Sequence, residues 1–513
     1  MRTLHPSLAV ASLLATAVVS AYAAEPVVQG PETVQEWYQA GNRFVHQGYH
    51  SEPNLRRAKN VILFVGDGMG ISTQTAARIL EGQLKGKPGE ENRLSFETFP
   101  NVGLSKTYSW DQQTSDSAPT MTAMVTGYKA REGMLSVNHL TTRGECDADK
   151  IKANSLKTIL EIAAERGKAT GVVSTARITH ATPAATYSHT AVRDWEADSN
   201  VPAGCGVKDI ARQLIEVSPA VQKSLKVVLG GGRTYFLPKA KNGADFFDPE
   251  YATTKGRRND GRDLTAEWVS TRGAKSAYVW NKAQFDSINP HKTGYLLGLF
   301  EPSHMQYEAD RAVDPAGEPS LTDMTAKSID MLEKSHKGYF LHVEAGRIDH
   351  AHHAGNAKRA LLDTIELSNA VRKAMEMTDP EETLILVTAD HSHTFTIAGY
   401  PHRGNDILGL VKEVPAVDGN PTAPTKDANG LPYTTLGYQN GPGYRGPVAR
   451  ADLTSVDTTA LNYLQEAAIP TVGAETHAGE DVAIFARGPK ASLVRGSMEQ
   501  NWIFHVMREA FGF

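Results

Sequence analysis

The run ETLILVTADHSHTFT, residues 382–396, places an acid and two imidazoles directly after a continuous apolar stretch: Asp390, His391 and His393. Such a stretch is typical of a strand buried on both faces, as in a parallel sheet covered by helices. Acids and imidazoles are costly to bury unless something pairs with them. Because ligands of parallel sheets bind beyond the carboxyl ends of the strands, the run predicts a binding site at that edge.

Other short runs of the same kind alternate with helical patterns along the chain. Residues 155–169 and 357–377 repeat apolar positions at helical spacing. The alternation predicts an α/β fold with a central, mostly parallel sheet sandwiched by helices. The other predicted strands are NVILFVGDG, ATGVVSTAR, LKVVLGGG, GYFLHVEAG and DVAIFARG.

The first 23 residues have the layout of a secretory signal. Arg2 gives a basic start, residues 8–19 are apolar, and small residues precede a cleavage site after Ala23. The apolar run is shorter than the roughly 20 residues of a membrane span, which makes an N-terminal anchor the weaker alternative. We therefore expect a mature chain of residues 24–513 without a membrane span, exported to the periplasm or the medium.

The overall composition excludes few functions. A formal net charge of −5 argues against nucleic acid as the main partner, because phosphate backbones bind basic surfaces. The same charge is compatible with a small phosphorylated ligand, which needs only a local positive site.

Two polar regions interrupt the alternation of strands and helices. Residues 239–275 are polar, and residues 401–473 are rich in glycine, proline, asparagine and threonine. The second region is too long for a plain loop in a compact domain. We interpret the first as an insertion and the second as a small appended domain or an oligomer contact.

Polar groups follow several of the predicted strands at the same sheet edge. Mixed imidazole and carboxylate groups suit zinc, whereas an all-oxygen set suits magnesium. A single acid after a strand is more often a helix cap, and an isolated histidine such as His477 is more often an ordinary surface or core residue. Groups from several segments at one edge nevertheless predict a metal site formed by Asp67, Thr182, Glu344, Asp349, His353, Asp390 and His391.

Helical spacing separates the polar residues of the segment EAGRIDHAHHAG, residues 344–355, into two groups. Asp349 and His353 are four residues apart, which puts both side chains on one face of a helical turn. His350 and His352 point elsewhere, and we expect them beside the site or at the surface.

The segment TSDSAPTMTAMVTG, residues 114–127, contains a candidate nucleophile, Ser117, directly after Asp116. Backbone N–H groups at a helix start favour a phosphate, but serine is also a preferred helix cap, so a purely structural role stays open. No Gly-x-Ser-x-Gly elbow surrounds Ser117, which weakens a serine-hydrolase interpretation. Arg193 either grips two phosphate oxygens or forms a surface ion pair.

Cys146 and Cys205 either form a disulfide or remain two free buried thiols. Export would place them where disulfides persist, which favours the bridge. A bridge would close a loop of about 60 residues, worth roughly 4 kcal/mol in the chain-entropy description.

Taken together, these stretches resemble the alkaline phosphatase family, in the branch that includes animal enzymes and many bacterial relatives. Six motifs in the family's order are far more specific than any one of them. The resemblance runs from about Asn60 to the C-terminus. It rests on GDGMG, DSAPTMTAMVTG, THATPAATYSHT, VEAGRIDHAHH, TADHSHTFT and ETHAGEDVAIFARGP.

The resemblance implies a hydrolase for phosphate monoesters that uses two zinc ions and one magnesium ion. Ser117 would attack phosphorus and form a phosphoserine, and Arg193, next to Asp116, would hold the phosphate oxygens. One zinc would bind Asp349, His353 and His477. The other would bind Asp67, Asp390 and His391 with Ser117. Magnesium would bind Asp67, Thr182 and Glu344, with His180 and His393 around them. His180 and His350 stand where the best-known enterobacterial form has Asp and Lys.

Further properties of the same branch follow as expectations. A calcium ion would bind Glu250, the carbonyl of Phe300, Glu301, and either Glu318 or Asp314. Cys146 and Cys205 match a bridged pair. Residues 401–473 correspond to the crown near the dimer contact, so a homodimer is expected. The substrate range would be broad, with activity favoured at alkaline pH.

Two alternatives stay open at this point. A sulfatase or phosphodiesterase of the same superfamily is the nearer one, although sulfatases need Cys or Ser followed by x-Pro-x-Arg, and residues 117–121 lack that arginine. A non-catalytic metal or phosphate-binding protein is the other. The presence of both Ser117 and Arg193 argues against it, because metal storage requires neither.

Overall fold

The computed structural model describes residues 33–49, 52–243, 246–415, 421, 423–446 and 450–513. The predicted signal of residues 1–23 lies outside this part of the chain. Within the described residues, no helix combines the length and the apolar character that crossing a membrane requires.

Fifteen strands occur in the described residues, numbered β1 to β15. Their bounds are Asn60–Gly66, Asn101–Lys106, Ala169–Arg177, Leu225–Gly231, Ser276–Val279, Tyr295–Leu299, Tyr339–Ala345, Thr383–Ala389, Ser392–His393, Phe395–Ile397, Leu436–Asn440, Ala467–Ile469, His477–Ala478, Val482–Arg487 and Gly496–Glu499.

The α-helices of the same part of the chain are numbered α1 to α15. Their bounds are Val34–Tyr49, Ile71–Leu84, Ser117–Thr126, Ala148–Asn154, Ile159–Glu165, Ala181–Ala184, Ile210–Ile215, Pro219–Ser224, Arg233–Phe236, Leu264–Arg272, Lys282–Ser287, Leu321–Leu332, Arg347–His353, Ala357–Met377 and Trp502–Phe511.

Ten strands form one sheet in the order β15-β2-β14-β8-β1-β7-β3-β4-β6-β5. Strand β14 runs antiparallel to its neighbours β2 and β8, whereas the other paired neighbours run parallel. The predicted mostly parallel α/β sheet is thereby confirmed.

The middle strands end level with one another, which positions the site. Gly66 at the end of β1 lies opposite Ala345 of β7 on one side and Ala389 of β8 on the other. The residues that follow, Asp67 and Asp390, therefore leave the sheet side by side. Parallel pairing in register brings together groups that are more than 300 positions apart in sequence.

Strand β1 shows why the sheet is buried on both faces. Its side chains alternate, so that Val61, Leu63 and Val65 enter one core while Ile62 and Phe64 enter the other. Helices α3, α5, α7, α8 and α15 cover the first face, and α2, α12, α13 and α14 cover the second. Each such buried side chain contributes roughly 1.5–3 kcal/mol, which holds the strand ends rigidly in place.

The two predicted insertions contain ordered elements. Within 239–275, helix α10 buries Leu264 and Trp268 in the first of these cores. Within 401–473, β11 and β12 join β10 in a separate three-stranded sheet. Their description as an insertion and a crown stays a prediction, because packing alone does not define a domain boundary.

Cys146 and Cys205 form a disulfide across a sequence separation of 59 residues, which confirms the predicted bridge. The loop that it closes carries His180, Thr182 and Arg193, three of the predicted site residues. The bridge therefore restricts the unfolded chain in the segment that supplies one side of the site.

Replacing both cysteines by serine should lower the free energy of unfolding by about 4 kcal/mol, because the unfolded loop gains conformational entropy. Equilibrium urea unfolding of the double variant and the wild type, both followed by circular dichroism, measures this difference. A difference below about 1 kcal/mol would contradict the stabilising role of the bridge.

Candidate active site

Ser117 opens helix α3 beside an acid and an imidazole from two other segments. Its Oγ lies 3.4 Å from Asp67 Oδ1 and 3.2 Å from His391 Nε2, and the residue is only 2% exposed. Asp116 caps the helix by accepting a hydrogen bond from the N–H of Ala118 at 3.2 Å. The cap falls on Asp116, so the Ser117 hydroxyl is free to face the cluster.

Arg193 is held in place by two of the predicted site residues. Its guanidinium forms an ion pair with Asp116 and donates a hydrogen bond to His180 Nε2 at 2.8 Å. Although burial opposes it, the charge of Arg193 lowers the pKa of Asp116. The structure thus supports a fixed, charged guanidinium close to Ser117 rather than a solvated surface pair.

Asp390 and His391 follow β8 and meet the chain that follows β1. The N–H groups of Gly68 and His391 donate to Asp390 Oδ1 at 3.0 and 2.9 Å. His391 Nε2 lies 3.4 Å from Asp67 Oδ1 and 3.3 Å from Asp390 Oδ2. One imidazole nitrogen and two carboxylate oxygens thus lie close together, and they belong to the residues predicted to hold the second zinc ion.

Asp349 gathers three imidazoles around one carboxylate oxygen. Its Oδ1 lies 3.3 Å from His353 Nε2, 3.3 Å from His477 Nε2 and 2.8 Å from His393 Nε2. Helix α13 aligns Asp349 with His353 one turn apart, as the spacing predicts. His477 arrives through the short pairing of β13 with β9, where it lies opposite His393.

Glu344 supplies a third group of oxygens at the end of β7. It faces Asp67, and His180 offers a ring nitrogen within 4.8 Å of both carboxylates. Thr182, from helix α6, and Ser174, which donates to Glu344 Oε2, complete the surroundings. Two buried oxygens, Asp67 Oδ2 and Glu344 Oε1, receive no hydrogen bond from any described residue.

The buried carboxylates of the cluster crowd one another. Burial and the charges of Asp390, Asp349 and Glu344 raise the pKa of Asp67 well above its ordinary value. Burial also raises the pKa of Glu344 to about 7. Buried acids with unpaired oxygens are stabilised by cations, so the donor set fits metal ions: imidazoles with carboxylates for zinc, oxygens for magnesium.

The two zinc-type clusters lie next to each other. Asp67, Asp349 and His391 each offer a ligand atom within 4.8 Å of the others. Asp67 also belongs to the group with Glu344 and His180. One carboxylate therefore connects all three predicted metal positions.

His393 differs from the expectation drawn from the resemblance, which placed it around the magnesium ligands. Its ring contacts Asp349 and Glu475 and thus belongs to the Asp349 cluster. Although burial opposes it, hydrogen bonds to these two carboxylates raise the pKa of His393 to about 9. This position follows from the backbone, because β9 pairs with β13 and His393 lies opposite His477.

His350 lies with His180 and with His304, a residue that the sequence analysis did not single out. Its ring centroid is 4.0 Å from that of His304 and 5.4 Å from that of His180. Arg347 donates to His350 Nδ1, and the backbone N–H of Arg177 donates to His304 Nδ1, at 3.2 and 3.3 Å. Arginine N–H groups occupy these lone pairs, so the group suits a supporting position rather than metal ligation.

Glu475 is a further residue that sequence reasoning missed. It is 1% exposed and contacts both His393 and His353. Its position two residues before His477 is the signal that could have indicated it.

The predicted calcium residues are partly brought together. Glu250, Glu301 and Asp314 offer oxygens within 4.8 Å of one another. Burial, followed by the charges of Asp248 and Asp314, raises the pKa of Glu301 to about 8. The cluster therefore contains Asp314, the second of the two alternatives for the fourth ligand.

Two other residues of the calcium prediction have protein partners. Glu318 accepts a hydrogen bond from the N–H of Gln306 at 3.0 Å through one oxygen, whereas its other oxygen has no described partner. The carbonyl of Phe300 accepts a hydrogen bond from Arg233. A cation at this carbonyl would thus have to share it with a guanidinium.

Comparison with known proteins identifies the family. A profile of the alkaline phosphatase family matches residues 58–513. The chain belongs to the alkaline phosphatase family. It is 46% identical to the tissue-nonspecific alkaline phosphatase of Gallus gallus over 464 residues, which span 89% of this chain and 85% of that one. It is 45% identical to the alkaline phosphatase of Gadus morhua over 462 residues, or 89% and 92% of the two chains.

Solved structures of alkaline phosphatases share the fold. The enzyme from the Antarctic bacterium TAB5 aligns with a TM-score of 0.59 at 22% identity, covering 90% of this chain and 99% of that one. The enzyme from Thermus thermophilus aligns with a TM-score of 0.61 at 24% identity, covering 90% and 93%. Membership of the alkaline phosphatase family makes the chain a phosphate monoester hydrolase and sets aside the sulfatase, phosphodiesterase and non-catalytic alternatives.

Replacing Gly68 by alanine should remove most of the phosphatase activity of this chain. Gly68 has a φ of +69°, and a Cβ there would lie 2.3 Å from His393 Nε2. We expect phosphatase activity to fall at least about 100-fold, since displacement by about 1 Å near reacting groups has effects of this size.

The control is Gly86→Ala, at a φ of +74° with open space around the added carbon. It imposes the same cost of a left-handed backbone, about 1–2 kcal/mol, without the clash. Equal activity in the two variants, measured as phosphate release, would contradict the close-packing argument.

Proposed function

We propose that this chain hydrolyses phosphate monoesters through a phosphoserine at Ser117, with two zinc ions and one magnesium ion as cofactors. The observation that carries the proposal is the position of the Ser117 Oγ. It faces Asp67 and His391 at a helix start, close to the guanidinium that Asp116 holds.

Ser117 would act as the nucleophile. Its Oγ forms a bond to phosphorus while the bond between phosphorus and the leaving oxygen breaks, and the alcohol departs with a proton. A water molecule then attacks the phosphoserine, which releases phosphate and restores the hydroxyl.

Three groups of residues would hold the cations. When bound, these ions supply positive charge to the attacking and leaving oxygens of an in-line displacement. The first zinc group is Asp349, His353 and His477, with His393 donating to Asp349. The second zinc group is Asp67, Asp390 and His391 with Ser117. The magnesium group is Asp67, Thr182 and Glu344, with His180 beside them.

Arg193 would bind the non-bridging phosphate oxygens. Its ion pair with Asp116 and its hydrogen bond to His180 fix the direction of the guanidinium before a substrate arrives. A planar guanidinium can contact two oxygens at once, which stabilises the charge of the transferring group. Since these contacts involve only the phosphate, they do not discriminate between leaving groups, and we expect a broad substrate range. We also expect activity to be favoured at alkaline pH.

Further assignments belong to the same proposal. Glu250, Glu301 and Asp314 would hold a calcium ion, with Glu318 and the carbonyl of Phe300 nearby. Residues 401–473 would form the crown beside the contact of a homodimer. The enzyme would act in the periplasm or the medium, where the disulfide between Cys146 and Cys205 persists.

Comparison of three substrates tests the reaction class. We expect p-nitrophenyl phosphate to react at least about 1,000-fold faster, by kcat/KM, than its methyl diester or the sulfate, because Arg193 and the cations match a doubly charged phosphoryl group. A diester or sulfate rate equal to the monoester rate would contradict the proposal.

Ser117→Ala should reduce kcat by more than about 1,000-fold while both zinc ions remain bound, because the attacking oxygen is removed but the carboxylates and imidazoles stay. The control is Ser328→Ala, which removes a buried hydroxyl from α12 that donates to the carbonyl of Met324. Near wild-type turnover by the zinc-loaded Ser117 variant would rule out the phosphoserine route.

Removal of the metal ions should abolish activity reversibly. Dialysis against a chelator should reduce phosphate release to background, and zinc together with magnesium should restore it, whereas magnesium alone should not, because imidazoles are poor ligands for magnesium. Full activity in protein shown by elemental analysis to be metal-free would contradict the metal assignment.

A further inference from the structure

Glu475 contacts the Asp349 cluster from the side opposite to the ligand atoms. Its buried carboxylate accepts hydrogen bonds from His393 Nδ1 at 2.5 Å, from the N–H of Thr394 at 2.7 Å and from Thr394 Oγ1 at 2.6 Å. Its backbone carbonyl accepts a hydrogen bond from His353 Nδ1 at 2.6 Å. One residue thus holds two of the three imidazoles through two different groups.

These contacts fix which ring nitrogen faces Asp349. Carboxylate and carbonyl oxygens only accept hydrogen bonds, so the Nδ1 atoms of His393 and His353 must each carry a proton. The Nε2 atoms of both rings consequently point to Asp349 Oδ1, at 2.8 and 3.3 Å. Glu475 thus contacts both rings on the side opposite to Asp349.

The backbone of Glu475 connects the same elements. Its N–H donates to the carbonyl of His353 at 3.0 Å, which ties the segment to the end of α13. The third imidazole, His477, is oriented by the carbonyl of Ser115 at 2.8 Å. Main-chain acceptors serve His353 and His477, so the carboxylate on His393 is the orienting contact that a substitution can remove.

We propose that Glu475 is a positioning residue that sets the zinc affinity of this cluster. Its carboxylate orients His393, which holds the ligand Asp349, and its backbone carbonyl orients the ligand His353. The inference rests on the proposed zinc site. His393 is the hydrogen-bond partner behind the ligand Asp349, and loss of the contacts behind a metal ligand typically weakens metal binding about 10–100-fold. Glu475 would therefore act on zinc retention rather than on the phosphate group.

The test uses Glu475→Gln, which keeps the size of the side chain. Its amide oxygen can still accept from Thr394, but its N–H group then faces His393 Nδ1 and opposes the present proton position. The matched control is Glu480→Gln. Glu480 lies on the same segment and accepts a hydrogen bond from Ser392 Oγ at 2.7 Å instead of from a histidine.

The full-length proteins would be stripped of metal and titrated with Zn²⁺ against a chromophoric chelator. We expect wild type and Glu480→Gln to bind two equivalents tightly, and Glu475→Gln to bind one of them about 10–100-fold more weakly. The d–d spectrum of the Co²⁺-loaded variant should change for one site only. Turnover at limiting zinc should fall through kcat, with KM unchanged, and recover when zinc is saturating.

Unfolding midpoints of the metal-free proteins separate positioning from a general structural role. We expect wild type and Glu475→Gln to agree within a few degrees. If Glu475→Gln does not fold, Glu475→Asp replaces it, because its shorter carboxylate cannot span the same contacts and the same one-site weakening is expected.

Unchanged affinity for both equivalents in the folded variant would overturn the inference, even if the protein were less stable. The wild-type titration tests the proposed function separately. If wild type bound no zinc, the metal assignment itself would fail, and this inference would fail with it.

Discussion

The structure depends on a single electrostatic constraint, the burial of several carboxylates at one edge of a parallel sheet. Asp67, Glu344 and Asp390 are each 0% exposed. In a low-dielectric interior such charges repel one another, and each isolated one would cost far more than a typical domain's net stability provides. Cations resolve the conflict, which explains why a chain would place these groups together.

The scaffold converts this constraint into a precise geometry. Strands β1, β7 and β8 end level, so the residues that follow them emerge side by side from a rigid, doubly covered sheet. Helix α13 and the pairing of β9 with β13 then bring the imidazoles to the same edge. Ser117 lies at the start of helix α3, where its hydroxyl faces Asp67 and His391.

The sequence allowed much of this to be predicted, for identifiable reasons. Continuous apolar runs predicted the strands, and the acids directly after them, such as Asp67 and Asp390, followed from the rule that ligands bind at carboxyl ends. The spacing of Asp349 and His353 predicted their shared helical face. Both patterns involve residues that are close in sequence, so a single sequence is enough to recognise them.

Other parts of the site could not be predicted because they depend on contacts between distant segments. The position of His393 is set by a two-residue strand pair, which leaves no periodic signal. His304 lies in the loop after β6 and contacts His350 from there. Glu475 contacts two imidazoles that lie more than 80 residues earlier in the sequence. Family resemblance supplied ligand sets, but it did not supply these supporting contacts.

Anomalous diffraction from crystals of the zinc-loaded protein, measured on both sides of the zinc absorption edge, would locate the cations at the edge of the sheet. We expect two zinc peaks, one among Asp349, His353 and His477 and one among Asp67, Asp390 and His391. Absence of a zinc peak at these carboxylates, in protein that hydrolyses phosphate monoesters, would contradict this expectation.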